Sequence, residues 1–261
     1  PSTNLLLSEG FTPSGALLKS LMVLSTSPIP NEDEYFLPNE NAGWGILDLS
    51  QLIDLNELKG DLGQQAIAPA SDIWVHDSFR IEQNFSEIIH NRIGENGVNS
   101  LLQNPWNGDE AIGPFLQSGD VWKKRLVPLE GKDLRAVMSF NANPEPHLVH
   151  DLMMVIKTSN GDILTGENYD IDGYSTFLPT STDIYSIAKS NETTTSIHIP
   201  SEEIDDIEWV DIEVHARYIA PGNIPSSVGI DGNKVGFSLA VKGVDRDSSS
   251  WEDSDGDGFA N

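Results

Sequence analysis

Val210-Asp211-Ile212-Glu213-Val214-His215-Ala216-Arg217 alternates apolar and polar side chains without a break. Successive side chains of a strand point to opposite faces. This period of two therefore predicts a β-strand with Val210, Ile212, Val214 and Ala216 in a core and a wet face of Asp211, Glu213, His215 and Arg217. The same pattern recurs on either side. Val235, Phe237, Leu239 and Val241 alternate and close the sheet. Trp122 to Leu129, Arg135 to Phe140 and Ser196 to Ile199 read as further strands. Leu152 to Lys157 and Ile163-Leu164 flank Ser159-Asn160-Gly161-Asp162, and Asn-Gly supplies the positive φ values of a tight turn, so this is a hairpin. Pro221 to Asn233 is a Gly/Pro/Ser loop, and the stretch from Ile81 to Leu116 reads mainly as an insertion loop, with Phe85 to Ile89 either a strand or a helical turn. Short alternating strands between turn signals predict a mostly β chain, an antiparallel β-sandwich, from Ile67 onward.

The N-terminal part has a different period. Thr12-Pro13-Ser14 opens a helix, with Thr12 as cap and Pro13 in the first position. Leu17, Leu18, Leu21, Met22 and Leu24 follow at helical spacing, and Pro28 ends the helix. A loop then leads to Asn41-Ala42-Gly43-Trp44-Gly45-Ile46-Leu47-Asp48-Leu49, and a second short helix is expected from Ser50 to Leu58.

The 261 residues hold 41 acidic and 15 basic side chains, a net charge of −26. Nucleic-acid affinity comes mainly from Lys and Arg displacing counterions, so this charge excludes a phosphate-backbone partner. There is no cysteine, which excludes disulfides and thiolate metal sites. No run approaches the about 18 apolar residues of a membrane-spanning helix. Pro1 stands where an initiator methionine would, and the chain ends abruptly at Asn261, so we expect a piece of a longer protein. The acidic clusters at Asn31 to Glu34 and Ser201 to Asp206 read as solvated surface.

The third cluster carries a motif. In Asp253-Ser254-Asp255-Gly256-Asp257-Gly258-Phe259-Ala260-Asn261, carboxylates at alternate positions converge on a hard cation where a glycine permits the sharp turn. The expected calcium ligands are Asp253, Asp255, Asp257, the Phe259 carbonyl and Asn261. The loop resembles the Asp-rich repeats of thrombospondin type 3 or dockerin modules. No complete active site is legible. His147, His150 and Asp151 have a metal-like spacing but lead into a strand. His76-Asp77-Ser78 holds the residue types of a triad, yet neighbours in an extended segment face opposite ways and are expected not to bond to one another. Ser14 lies near a helix start, where amide donors can form an oxyanion hole, but a local role at the helix start explains it better.

The order of these features resembles the subtilisin-like serine proteases. Gly10-Phe11-Thr12-Pro13-Ser14-Gly15-Ala16-Leu17-Leu18-Lys19-Ser20-Leu21-Met22-Val23-Leu24, followed by Gly43-Trp44-Gly45-Ile46-Leu47-Asp48-Leu49, is similar to the end of that protease domain. Leu148-Val149-His150-Asp151-Leu152, Ser159-Asn160-Gly161 and Phe237-Ser238-Leu239-Ala240-Val241 resemble strands and a turn of the C-terminal jelly roll found in large members. His150 stands where the family has Asn, and Met153 replaces a second Asp. The family's catalytic segments would precede Pro1, so no catalytic residue carries over, and the chain is expected to lack the triad. The resemblance implies three parts: residues 1–58 as a short helical remnant of an α/β subtilisin-like domain, 60–245 as an antiparallel β-sandwich or jelly roll, and 246–261 as an acidic linker with a calcium-repeat-like tail. It implies a secreted, extracellular serine endopeptidase as the parent protein, acting on protein or peptide substrates, with calcium as cofactor. There the helix would lie under the protease sheet. A second reading is an extracellular adhesion or carbohydrate-binding module, with Trp74, Trp106 or Trp209 stacking on sugars.

Overall fold

The computed structural model describes residues 13–27, 43–52, 72–80, 111–142, 150–166, 168–170, 172–222, 227–229 and 231–245. Its elements are α1 (Gly15–Leu24), β1 (Thr26–Ser27), β2 (Ile46–Leu47), β3 (Ile73–Asp77), β4 (Val121–Leu126), β5 (Leu134–Phe140), β6 (Asp151–Thr158), β7 (Ile163–Thr165), β8 (Thr194–Ile199), α2 (Ser201–Ile204), β9 (Val210–Tyr218), β10 (Ser227–Val228), β11 (Lys234–Val235) and β12 (Phe237–Lys242). The chain is mostly β, as its alternation predicts.

Eight strands form two antiparallel four-stranded sheets, one in the order β3-β12-β5-β8 and the other β4-β9-β6-β7. The faces turned toward each other share one core. Ala136, Met138, Phe237, Leu239 and Ile197 come from the first sheet, and Trp122, Met154, Ile156, Ile212 and Val214 from the second. Burying a large aliphatic side chain contributes about 1.5–3 kcal/mol, so this shared layer dominates the stability of the sandwich. The expected hairpin is present. Lys157 pairs with Ile163 across it, and Gly161 adopts φ +91°, a left-handed conformation that glycine takes without strain.

Helix α1 begins two residues later than expected. Ser14 is the cap, its Oγ accepting from the Leu17 amide at 3.1 Å, and Pro13 precedes the helix instead of leading it. The Ser14 amide donates to Asp77 Oδ2 at 2.8 Å, tying the helix start to β3. The helix lies on the outer face of the first sheet. Leu17, Leu21 and Leu24 cluster with Val137 of β5, Ala240 of β12 and Ile73 of β3. Small side chains let the helix approach. Ser20 Oγ and Ser238 Oγ hydrogen-bond at 2.9 Å, and Ser238 in turn donates to the Ser139 carbonyl. In this structure the sandwich itself provides the sheet beneath the helix. Thr26 and Ser27 then pair with Leu47 and Ile46, bringing the Gly43–Leu49 segment beside the helix, with Trp44 and Leu49 against the same cluster. The helix expected from Ser50 is a single 3₁₀ turn, Leu49–Gln51, as far as the described residues run.

Candidate functional site

Two polar surfaces stand out, one on the outer face of each sheet. The first occupies the second sheet. Asp211, Glu213 and His215, read as a wet face, are buried at 3%, 6% and 5% exposure. Antiparallel pairing sets Arg125 opposite Asp211 and Lys123 opposite Glu213 on β4, and Lys157 opposite Asp211 on β6. Arg125 donates Nε and Nη2 to the two Asp211 oxygens at 2.6 and 2.7 Å. Its guanidinium also lies 3.5 Å from the centre of the Trp209 ring. Lys123 adds a contact to Asp211 at 2.7 Å, and Lys157 reaches Glu213 at 2.8 Å. His215 Nε2 sits 2.8 Å from Glu213, and its Nδ1 lies 3.2 Å from the Tyr185 hydroxyl.

Burial opposes ionisation of Glu213, but the bonds from His215 and Lys157 outweigh it and hold the carboxyl at about 2. An ionised Glu213 accepts the hydrogen bond from His215 Nε2–H, while Nδ1 faces the Tyr185 hydroxyl. This relay resembles catalytic wiring. Its carboxylates, however, are committed to cations. Arg217 likewise holds Asp151 at 3.0 Å. The arrangement is an ion-pair network that fixes β4, β6 and β9 together.

The second surface is a cleft of about 440 Å³ on the first sheet, beyond the C-terminal end of α1. Leu24, Thr26 and Gln51 line one side, and Asp72, Lys132, Asp133, Arg135, His198 and Lys242 the other. Strand register creates it, since Lys242 on β12 faces Arg135 on β5, and Arg135 faces His198 on β8. Arg135 donates to the Thr26 carbonyl at 2.9 Å and to Thr26 Oγ1 at 3.1 Å. Burial pushes its guanidinium down to about 10, and it lowers the Lys242 ammonium as well. His198 is also lowered, first by burial and then by the nearby Arg135, against the opposing pull of Asp133 at 3.2 Å. Lys132 pairs with Asp72 at 2.9 Å.

The residues singled out from the sequence fall as follows. Asp253, Asp255, Asp257, Phe259 and Asn261 lie outside the described residues, as do His147, Trp106 and the Asn31 to Glu34 cluster. Among the described residues, no group of three or more His, Cys, Asp or Glu side chains is placed to hold a metal ion. His150 is fully buried and accepts from the Ala220 amide at 3.2 Å, while Asp151 is committed to Arg217, so these two form no ligand pair. His76 and Ser78 do approach, at 3.4 Å, which corrects the expectation for that tripeptide: residues two apart on a strand share a face. Asp77 points to the other face and caps Ser14 and Phe79 amides, so no triad forms. His76 is stacked between Trp122 and Phe237, and burial holds it near 3, neutral at ordinary pH. Ser14 is the helix cap. Glu202, Glu203, Asp205 and Asp206 are exposed, as a solvated cluster should be. Trp74 and Trp209 are half-buried and already engaged, Trp74 over the core beside Trp122 and Trp209 under Arg125. Sequence reasoning missed both polar surfaces. The only signal was a charged residue at every second position of β9, and it gave no sign of the cations that cover them.

No protein-family model matches the chain, and the search of curated proteins returned no match.

Proposed function

We propose that this chain is the C-terminal portion of a secreted subtilisin-like serine endopeptidase, and that its sandwich is a jelly roll that stabilises or positions the protease. One observation carries the reading. The two segments that resemble the end of that protease domain, Gly15–Leu24 and Gly43–Leu49, come together in space through the β1–β2 pair and a single apolar cluster. The strand order supports the second half of the reading. Counting the eight main strands in sequence, one sheet runs first, eighth, third, sixth and the other second, seventh, fourth, fifth. This is the order of a jelly roll built from two Greek keys.

In the parent enzyme, peptide bonds would be hydrolysed by a Ser-His-Asp triad contributed from upstream, with the serine activated by its histidine base. The described residues supply no nucleophile–base–orienter set of their own. The tail from Asp253 would hold calcium outside the cell. Casein hydrolysis tests this. The 261-residue chain alone is expected to cleave nothing, and the same chain joined to its own upstream region is expected to cleave casein until a serine-protease inhibitor is added. Inhibitor-sensitive cleavage by the chain alone, or none by the extended protein, overturns the reading.

A further inference from the structure

The chain holds 15 basic residues against 41 acidic ones, so a carboxylate partner is easily found for any cation. On the second sheet Lys123, Arg125, Lys157 and Arg217 each have one. The cleft on the first sheet departs from this rule. Lys242 and Arg135 are direct cross-strand partners, and His198 continues their row on the next strand. Like charges placed directly opposite on neighbouring strands destabilise a sheet. Among the described residues, Arg135 bonds only to neutral oxygens, the Leu24 and Thr26 carbonyls and Thr26 Oγ1. Lys242 bonds Gln51 Oε1 at 2.5 Å, also neutral. The two carboxylates that line the cleft are taken elsewhere, Asp72 by Lys132 and Asp133 by His198 and the Ser201 amide. Among the described residues, the row thus opens into a cavity of about 440 Å³ with two cations that make no ion pair, Asp72 and Asp48 acting on Lys242 only through their charge at longer range.

We propose that this row, Lys242, Arg135 and His198 with Lys132 at its rim, is a binding site for a small oxyanion, a phosphate or a carboxylate. Such a ligand supplies the missing negative charge. It accepts from the remaining ammonium protons of Lys242 and relieves the repulsion between neighbouring strands. Charge-assisted bonds of this kind are about twice as strong as neutral ones. Arg135, fixed by the end of α1, acts as the rigid floor, and Lys132, half exposed, swings from Asp72 to the ligand. The overall charge of −26 repels anions in general, so saturable binding requires a local site.

The test is titration calorimetry on the 261-residue chain with inorganic phosphate and, separately, with citrate, at ionic strength held constant with sodium chloride. One saturable site tighter than about 1 mM is expected for at least one of them. Phosphate alone marks a phosphate-type ligand, and citrate alone a carboxylate. Lys242→Gln is expected to weaken binding at least about tenfold while unfolding in chloride at the parent temperature or above, since it removes a like-charge pair. A merely structural lysine would lower that temperature and leave binding intact. Lys132→Gln, at the exposed rim, is expected to weaken binding severalfold and decides the matter if Lys242→Gln does not fold. No saturable heat from either anion, or equal binding by parent and variants, overturns the proposal.

Discussion

Leu21→Ala tests whether helix α1 and the sandwich fold as one unit. Leu21 is 1% exposed and sits among Leu17, Val137 and Ala240. Truncating such a leucine costs about 2–5 kcal/mol, part transfer free energy and part cavity. The β5 and β12 strands beneath it are rigid and also hold the inner core, so little collapse is available and about 3 kcal/mol is expected. For a unit of this size each kcal/mol lowers the melting temperature by about 2–4 °C, giving a fall of about 6–12 °C. Urea unfolding followed by tryptophan fluorescence and by far-ultraviolet circular dichroism is the assay. Trp44 reports on the helix side, and Trp122 on the inner core. Both signals should shift together. Met22, the next residue, is 51% exposed, and Met22→Ala should change stability by less than about 0.5 kcal/mol. If Leu21→Ala moves only a minor early transition and leaves the main one within about 0.5 kcal/mol of the parent, helix and sandwich are not one cooperative unit and the reasoning fails.

Glu213 is held at about 2 from an ordinary value of 4.5, so its ionised form stabilises the fold above pH 4.5 and that contribution fades as pH falls toward 2. The depression is worth roughly 3 kcal/mol, and Glu213→Gln should therefore lower stability at pH 7 and flatten its fall between pH 5 and 2; an unchanged acid profile in urea titrations counts against the network. Gly243 has φ +81°, and a Cβ there would collide with the Asp133 backbone, so Gly243→Ala should cost at least about 2 kcal/mol in the same assay. Calcium calorimetry on the chain extended past Asn261 should show saturable binding through Asp253, Asp255 and Asp257; none at millimolar calcium rejects the tail assignment.

Much of the fold is legible in the sequence because its strands obey a period of two. The inner residues of β9 and β12 are those the alternation selects, and Asn160-Gly161 marks the hairpin. The outer faces are another matter. Asp211, Glu213 and His215 look like a solvated stripe because their shields, Lys123, Arg125 and Lys157, stand on strands far away in sequence. Polarity along one strand says nothing of which charges lie beside it once register is set. The Lys242-Arg135-His198 row is hidden for the same reason, since each residue is unremarkable until three strands align. The cap of α1 was misplaced by two residues because Thr12-Pro13 and Ser14 both satisfy local capping chemistry. What favours Ser14 is long-range, the bond from its amide to Asp77. The place of α1 is also a tertiary fact. Its leucines demand a sheet, and its period alone does not say which one.

The central claim, that this sandwich completes a subtilisin-like protease, is tested most directly by determining the encoded sequence just before Pro1. The account predicts a Gly-Thr-Ser-Met-like serine segment within a few dozen residues of Pro1, with histidine and aspartate segments further upstream. An upstream region without that serine segment contradicts it.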